Sequence, residues 1–255
     1  MTTALITGGT AGLGRAFADK FAELGYDLVL VARDRSRLDA VAEELRGQAA
    51  GVRVETISAD LATESGRAEV EARLGAQERP VDILVNNAGF ALARSFRASE
   101  VEDEERLLDV HVRAVLRLTH AALPGMVTRG KGSVINVASV AAFVPRGTYS
   151  AAKAWVVSFS ESVAAELSGT GVRCMALCPG FTHTEFHSRA DVDPGQIPGW
   201  MWLDAPDVVD AAIDDLRKGL TVSVPGAKYK ILVGANRLVP RRLSTRLSRS
   251  VSKRW

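Results

Sequence analysis

Two side chains four residues apart, Tyr149 and Lys153, form the pair in this 255-residue sequence best suited to move a proton. Four residues is about one helical turn, so the two share a face. A free tyrosine titrates near ~10 and is a poor base at neutral pH. A lysine ammonium beside it, with a positively charged ring bound close by, stabilises the phenolate and is expected to draw that pKa toward neutrality. Tyr149 would then protonate an alkoxide forming on a carbonyl carbon, or accept the proton of an alcohol. Ser139, ten residues earlier, carries a hydroxyl that would bond the same oxygen and orient it. Such a pair alone arises by chance in many helices, so its meaning depends on what surrounds it.

The first thing around it is a glycine turn. Thr7-Gly8-Gly9-Thr10-Ala11-Gly12-Leu13-Gly14 lies between an apolar run, Ala4–Ile6, and an amphipathic stretch near Arg15–Leu24. Glycines there allow a tight turn, close backbone approach to a pyrophosphate, and close helix–strand packing. The helix N-terminus adds N–H donors and a positive dipole end. Cofactor choice then turns on Val31-Ala32-Arg33-Asp34, at the end of the second apolar run. An acid there would bind the 2′-hydroxyl of NAD, whereas arginine accommodates the 2′-phosphate of NADP. Arg33 comes first and matches phosphate geometry. Asp34, 20 residues past Gly14, stands within the spacing of an NAD acceptor. It is read as helix-entry decoration beside Ser36, the expected N-cap with Asp39 as its box partner. NADP(H) is therefore expected over NAD(H).

Positioning these residues requires alternating strands and helices. Strands are expected at Ala4–Ile6, Asp27–Ala32, Val52–Ile57, Val81–Val85, Ser133–Val137, Val172–Leu177 and Thr221–Val224. Each is a continuous apolar or β-branched run, as strands buried on both faces must be. Helices are expected near Arg15–Leu24, after Ser36, at Val101–Leu123, Ser150–Leu167 and Pro206–Lys218, with an irregular loop over Phe181–Trp202. Alternation of this kind gives an α/β fold, a single-domain Rossmann-like doubly wound parallel sheet with helices on both faces. That domain is expected over 1–235, followed by a basic tail, 236–255.

Five motifs arrive in one order at the strand ends, and over residues 4–225 the chain resembles the short-chain dehydrogenase/reductase family. The glycine turn is similar to that family's Thr-Gly-x-x-x-Gly-x-Gly. Asp60-Leu61 follows the third strand, where the family contacts adenine. Asn86-Asn87-Ala88-Gly89 matches its Asn-Asn-Ala-Gly, which shapes the cofactor cleft. Ser139 and Tyr149-Ser-Ala-Ala-Lys153 match its catalytic serine and Tyr-x-x-x-Lys. Pro179-Gly180-Phe181-Thr182-His183-Thr184 falls where the family closes over the nicotinamide. The resemblance implies a hydride-transferring oxidoreductase acting on a secondary alcohol or ketone. It also implies that Lys153 holds the nicotinamide ribose, and that Gly8, Thr10, Gly12, Leu13, Gly14, Arg33, Asp60, Leu61, Asn87, Ala88, Gly89, Pro179, Gly180, Thr182 and Thr184 contact the cofactor. A homodimer or homotetramer through the two long helices follows from the same likeness.

The sequence departs from the family at two places. The gap from Ser139 to Tyr149 is shorter than usual. His111 stands where the family places an asparagine that holds a proton-relaying water. A histidine can hold a water too, with a charge that varies with pH, so His111 joins the catalytic candidates. Phe143, Phe186, Trp200 and Trp202 lie in the regions expected to contact substrate and imply an apolar carbonyl compound, with a 3-oxoacyl thioester as an alternative. A non-catalytic nucleotide-sensing protein on the same fold is the rival of different class, and it would be marked by loss of Tyr149 or Lys153.

Composition narrows the partners. No acidic residue follows Asp215, where eleven of the 32 Lys and Arg lie, so the first 215 residues carry 21 basic against 30 acidic side chains. That acidic body argues against nucleic acid. Leu243, Leu247 and Val251 at helical spacing among the tail's basic residues would suit weak contact with an anionic membrane surface. Cys174 and Cys178 read as buried thiols, and with no signal segment or spanning run a reducing cytoplasm is expected. His183-Thr-Glu-Phe-His187 is not a zinc signature, and no metal is expected.

Overall fold

The computed structural model describes residues 2–49, 51–92, 94–186 and 197–238. In chain order the elements are β1 (Thr3–Thr7), α1 (Gly12–Glu23), β2 (Asp27–Ala32), α2 (Arg35–Gln48), β3 (Val54–Ser58), α3 (Glu64–Gly75) and β4 (Ile83–Asn86). Next come α4 (Val101–Leu108), a π-helical segment (Asp109–Arg113), α5 (Ala114–Thr128), β5 (Gly132–Val137) and a 3-10 turn (Val140–Phe143). After these lie α6 (Gly147–Glu166), β6 (Val172–Leu177), a 3-10 turn (Gly199–Met201), α7 (Ala205–Arg217), β7 (Val222–Ser223) and α8 (Ala227–Leu238). The strands form one seven-stranded sheet in the order β3-β2-β1-β4-β5-β6-β7, with every neighbouring pair parallel. This is a Rossmann-like doubly wound α/β fold.

Continuous apolar strands are explained by burial on both faces. Leu28 and Leu30 pack with Phe17 and Phe21 of α1, Leu38 of α2 and Val208 of α7, while Val29 and Val31 pack with Val70 of α3 and Leu118 of α5. Side chains along a strand alternate between faces, and both faces here are covered by helices. Each fully buried Leu or Ile contributes roughly 1.5–3 kcal/mol. Strand order reverses between β1 and β4, and the ends of these two strands open the crevice where such sheets take ligands.

Several expectations are corrected. The cap of α2 is Asp34, whose carboxylate accepts the Arg37 N–H at 3.0 Å, not Ser36. β3 begins at Val54 because Val52 turns back onto the Ala49 carbonyl. β4 begins at Ile83, and the carbonyl of buried Val81 is taken by the Arg129 guanidinium. The helix expected over Val101–Leu123 widens into a π segment at Asp109–Arg113 and continues through Pro124 to Thr128. α6 starts at Gly147, so Tyr149 sits in its first turn. Sequence reading missed α8 altogether. Ala227–Leu238 follows Pro225-Gly226 and buries Tyr229 and Val233, one helical turn apart. Cys174 and Cys178 are buried thiols. Among the described residues no helix is long and apolar enough to cross a membrane. The amphipathic tail expected around Leu243, Leu247 and Val251 lies outside the described residues.

Candidate active site

A cleft of about 680 Å³ runs along the carboxyl ends of the strands. Its wall brings together Gly8, Thr10, Gly12, Leu13, Arg33, Asp60, Leu61, Asn87, Ala88, Gly89, His111, Ser139, Tyr149, Lys153, Pro179, Gly180, Thr182 and Thr184. Gly14 is the one candidate catalytic or cofactor residue off this wall. A Cβ there would sit 2.1 Å from the Gly8 carbonyl oxygen, so Gly14 lets α1 lie against the turn. Gly8 and Gly12 adopt positive φ, 67° and 53°, which side chains resist. The N-cap of α1, Ala11, makes no side-chain capping bond. Free N–H groups at a helix start suit phosphate oxygens, so the turn fits a dinucleotide.

Buried amides hold the strand ends in register. Asn87 Nδ2 donates to the carbonyls of Thr7 (2.9 Å) and Gly8 (3.3 Å), while the Thr7 hydroxyl accepts the Asn87 and Ala88 N–H groups. Deeper, Asn86 donates to Asn136 at 2.8 Å and Asn136 to Ser160 of α6 at 2.9 Å. This chain ties α6, and with it Tyr149 and Lys153, to β4 and β5.

The reacting groups expected from the sequence meet at the other end of the cleft. Ser139 sits where β5 and β6 end, its neighbour Val140 donating to the Pro179 carbonyl at 3.0 Å. Its hydroxyl accepts the Ala141 N–H at 3.1 Å and faces the Tyr149 phenol closely enough to pull its pKa down, so the short gap still brings the two together. Lys153 is buried and donates to the Val137 carbonyl at 2.6 Å, with Nζ 5.7 Å from the Tyr149 ring centre. Burial depresses Lys153 to about 7, and it pushes the Tyr149 phenol well above its ordinary value against the downward pull of the Ser139 hydroxyl. Burial thus opposes the draw toward neutrality that the lysine is expected to exert together with a positively charged cofactor ring. Both groups are desolvated, and each favours its neutral form.

The π segment turns His111 into the protein, where it is 1% exposed. Its Nε2 faces the Phe90 N–H at 3.0 Å and the Phe90 carbonyl at 2.7 Å, and its ring meets Tyr149 edge-on at 5.5 Å. A Cβ on Gly89 would come within 2.5 Å of that ring, so glycine is needed there. Burial first, and then Lys153, hold the imidazole pKa well below its ordinary value. His111 is thus neutral at physiological pH, contrary to the expected pH-variable charge.

In the cleft wall beyond β2 and β3, Asp60 accepts the Arg106 guanidinium at 2.7 Å, and Arg37 of α2 pairs with Glu185. Among the described residues Arg33 makes no side-chain hydrogen bond or ion pair, and it lies exposed on the cleft wall. Sequence reading missed Arg37, Arg106 and Glu185. Arg37 had a signal, its place in the first turn of the helix after β2. It also missed Tyr229, whose hydroxyl accepts the Phe181 N–H at 3.0 Å and donates to the Met201 carbonyl at 2.6 Å. Its ring fills the space a Cβ on Gly180 would take.

Of the four aromatics expected at the substrate, only Phe186 lines the cleft, 5.9 Å from the Tyr149 ring, beside Phe90 and Val110. Phe143 packs beside Ala138 and Val156, Trp200 is 64% exposed, and Trp202 stacks on His183 at 4.6 Å. His187 lies outside the described residues.

Fold and cleft define a dinucleotide-dependent oxidoreductase. A family model described as short chain dehydrogenase matches residues 2–194, and the chain belongs to that family. It is 39% identical over 189 residues to the NADP-dependent 3-hydroxy acid dehydrogenase YdfG of Salmonella typhi, covering 72% of this chain and 74% of that one. A solved short-chain dehydrogenase from Sphingobium yanoikuyae in complex with NADPH superposes with TM-score 0.85 at 38% identity, over 93% of this chain and 94% of the other. The bulky-bulky ketone specific alcohol dehydrogenase from Comamonas testosteroni gives 0.80 at 32%, over 94% and 96%. The chain is accordingly an NAD(P)-dependent oxidoreductase acting on alcohol or carbonyl groups.

Proposed function

We propose that this enzyme uses NADP(H) to interconvert an apolar ketone and its secondary alcohol, with Tyr149 as general acid and base. The observation that carries the reading is one continuous cleft with the Tyr149 phenol at one end and at the other an exposed guanidinium, Arg33, that makes no side-chain hydrogen bond or ion pair among the described residues. One oxygen of Asp34, the competing NAD acceptor, is engaged in capping α2. The NADP-dependent relative and the NADPH-bound neighbour support the same choice.

When bound, the nicotinamide supplies or accepts the hydride. In reduction the Tyr149 O–H donates its proton to the developing alkoxide, and the Ser139 hydroxyl holds that oxygen in place. Lys153 takes the ribose hydroxyls. His111 Nδ1, buried without a hydrogen-bond partner among the described residues, is available to hold a water. The remaining candidates from Gly8 to Thr184 cradle the cofactor. Phe90, Val110 and Phe186 supply an apolar wall beside the phenol, which favours a bulky ketone over an anionic substrate.

The test is a panel of bulky apolar ketones, 3-oxo acids and 3-oxoacyl thioesters, each with NADPH and NADH. Turnover of the bulky ketones with NADPH supports the reading. Activity confined to the acids or thioesters, or to NADH, overturns it. Self-association through α5 and α6 belongs to the same proposal, with Leu116 of α5 left 43% exposed for a partner. Sedimentation as a monomer at micromolar concentration would contradict it.

A further inference from the structure

Arg37 and Glu185 form an ion pair that the chemistry above does not use. Arg37 Nη2 lies 2.5 Å from Glu185 Oε1, and Nη1 lies 3.1 Å from Oε2. Arg37 belongs to the first turn of α2, beyond β2, whereas Glu185 lies beyond β6, and both line the cleft. The pair thus spans the cleft between its two halves. Its side chains are 37% and 48% exposed, so water and salt weaken it and it is readily exchanged. Arg33, four residues before Arg37, lines the same wall with no hydrogen-bonded partner among the described residues. Glu185 therefore occupies one guanidinium, Arg37, on a wall that also carries a second, Arg33, and both are suited to a phosphate.

We propose that Glu185 is a specificity-determining residue, competing with the 2′-phosphate of NADP(H) for the guanidinium of Arg37. This rests on the NADP(H) reading above. A phosphate draws a guanidinium into two-pronged, charge-assisted bonds. When Arg37 turns to it, Glu185 loses that ion pair and its carboxylate faces a dianion. The 2′-hydroxyl of NAD(H) makes no such demand, so the Arg37–Glu185 pair persists with that cofactor. Glu185 thereby narrows the preference that Arg33 and Arg37 create.

Glu185→Gln keeps the shape and removes the charge. Full-length native and variant protein are titrated with NADPH and with NADH, following nicotinamide fluorescence at low and high salt. NADPH should bind up to about fivefold more tightly to the variant, with NADH changed by less than about twofold. The NADPH gain should shrink as salt rises. Glu185→Ala should move affinity in the same direction, and a thermal melt checks that both variants are folded. Unchanged or weaker NADPH binding, or equal gains for both cofactors, overturns the proposal. Native protein that prefers NADH would sink the NADP(H) reading by itself, whereas a selective NADPH gain in the variant would still establish the competition.

Discussion

Lys153 should weaken the fold whose chemistry it serves, and Lys153→Met measures by how much. Burial holds this lysine down from an ordinary 10.5 to about 7. At roughly 1.4 kcal/mol per pH unit, keeping it charged at low pH costs the folded state up to about 5 kcal/mol. The variant keeps an unbranched side chain but leaves the Val137 carbonyl, bonded at 2.6 Å, without its donor. That loss costs about 1–3 kcal/mol. Below pH 7 the variant should therefore be more stable by on the order of 2 kcal/mol. Between 7 and 10.5 the unfolded chain binds a proton that the folded chain does not, so native stability rises with pH across that window. Near pH 9.5 only about 1.4 kcal/mol of the penalty remains, close to the cost of the orphaned carbonyl, so the variant's advantage should vanish or reverse. Urea denaturation of both proteins near pH 6.5 and pH 9.5 gives the comparison. A stability difference that does not change with pH would refute the claim that Lys153 is buried at the expense of its charge.

Arg33→Ala should weaken NADPH binding by about 1.5–3 kcal/mol while leaving NADH nearly untouched, because only the phosphate makes a charge-assisted bond there. Equal losses in fluorescence titration would contradict the assignment. Tyr229→Phe removes the bonds to the Phe181 N–H and the Met201 carbonyl. It should cost about 1–3 kcal/mol in urea denaturation and raise KM, since the segment after β6 forms part of the cleft wall; unchanged stability would show that these bonds do not hold that segment.

The sheet and the glycine turn were legible because their signals are local. Leu28 to Val31 read as a strand from composition alone, and Gly8, Gly12 and Gly14 mark a turn by their spacing. What stayed hidden depends on contacts between distant segments. The π segment differs from an ordinary helix by one residue per turn, and nothing in Asp109–Arg113 announces it. Asp34 and Ser36 are both good caps, and the choice between them follows from where β2 ends. Tyr229 acts 48 residues from the N–H it receives, at a distance no periodicity reveals. Phe143 and Trp202 look like pocket residues by type, yet they pack against Val156 and His183. Burial of Tyr149 is hidden for the same reason, since proximity of a lysine is visible in sequence and desolvation is not.

The central claim is that the Tyr149 phenol carries the proton, and Tyr149→Phe tests it directly. The ring and its contacts with His111 and Phe186 remain, and Arg33, the glycine turn and Lys153 are unchanged. With a ketone that the native enzyme reduces, single-turnover rates and cofactor affinity are measured for both proteins. The account predicts cofactor binding close to native and a rate lower by at least ~10²–10⁴, the usual effect of removing a general acid. A variant that binds cofactor and still turns over near the native rate would show that the proton comes from elsewhere.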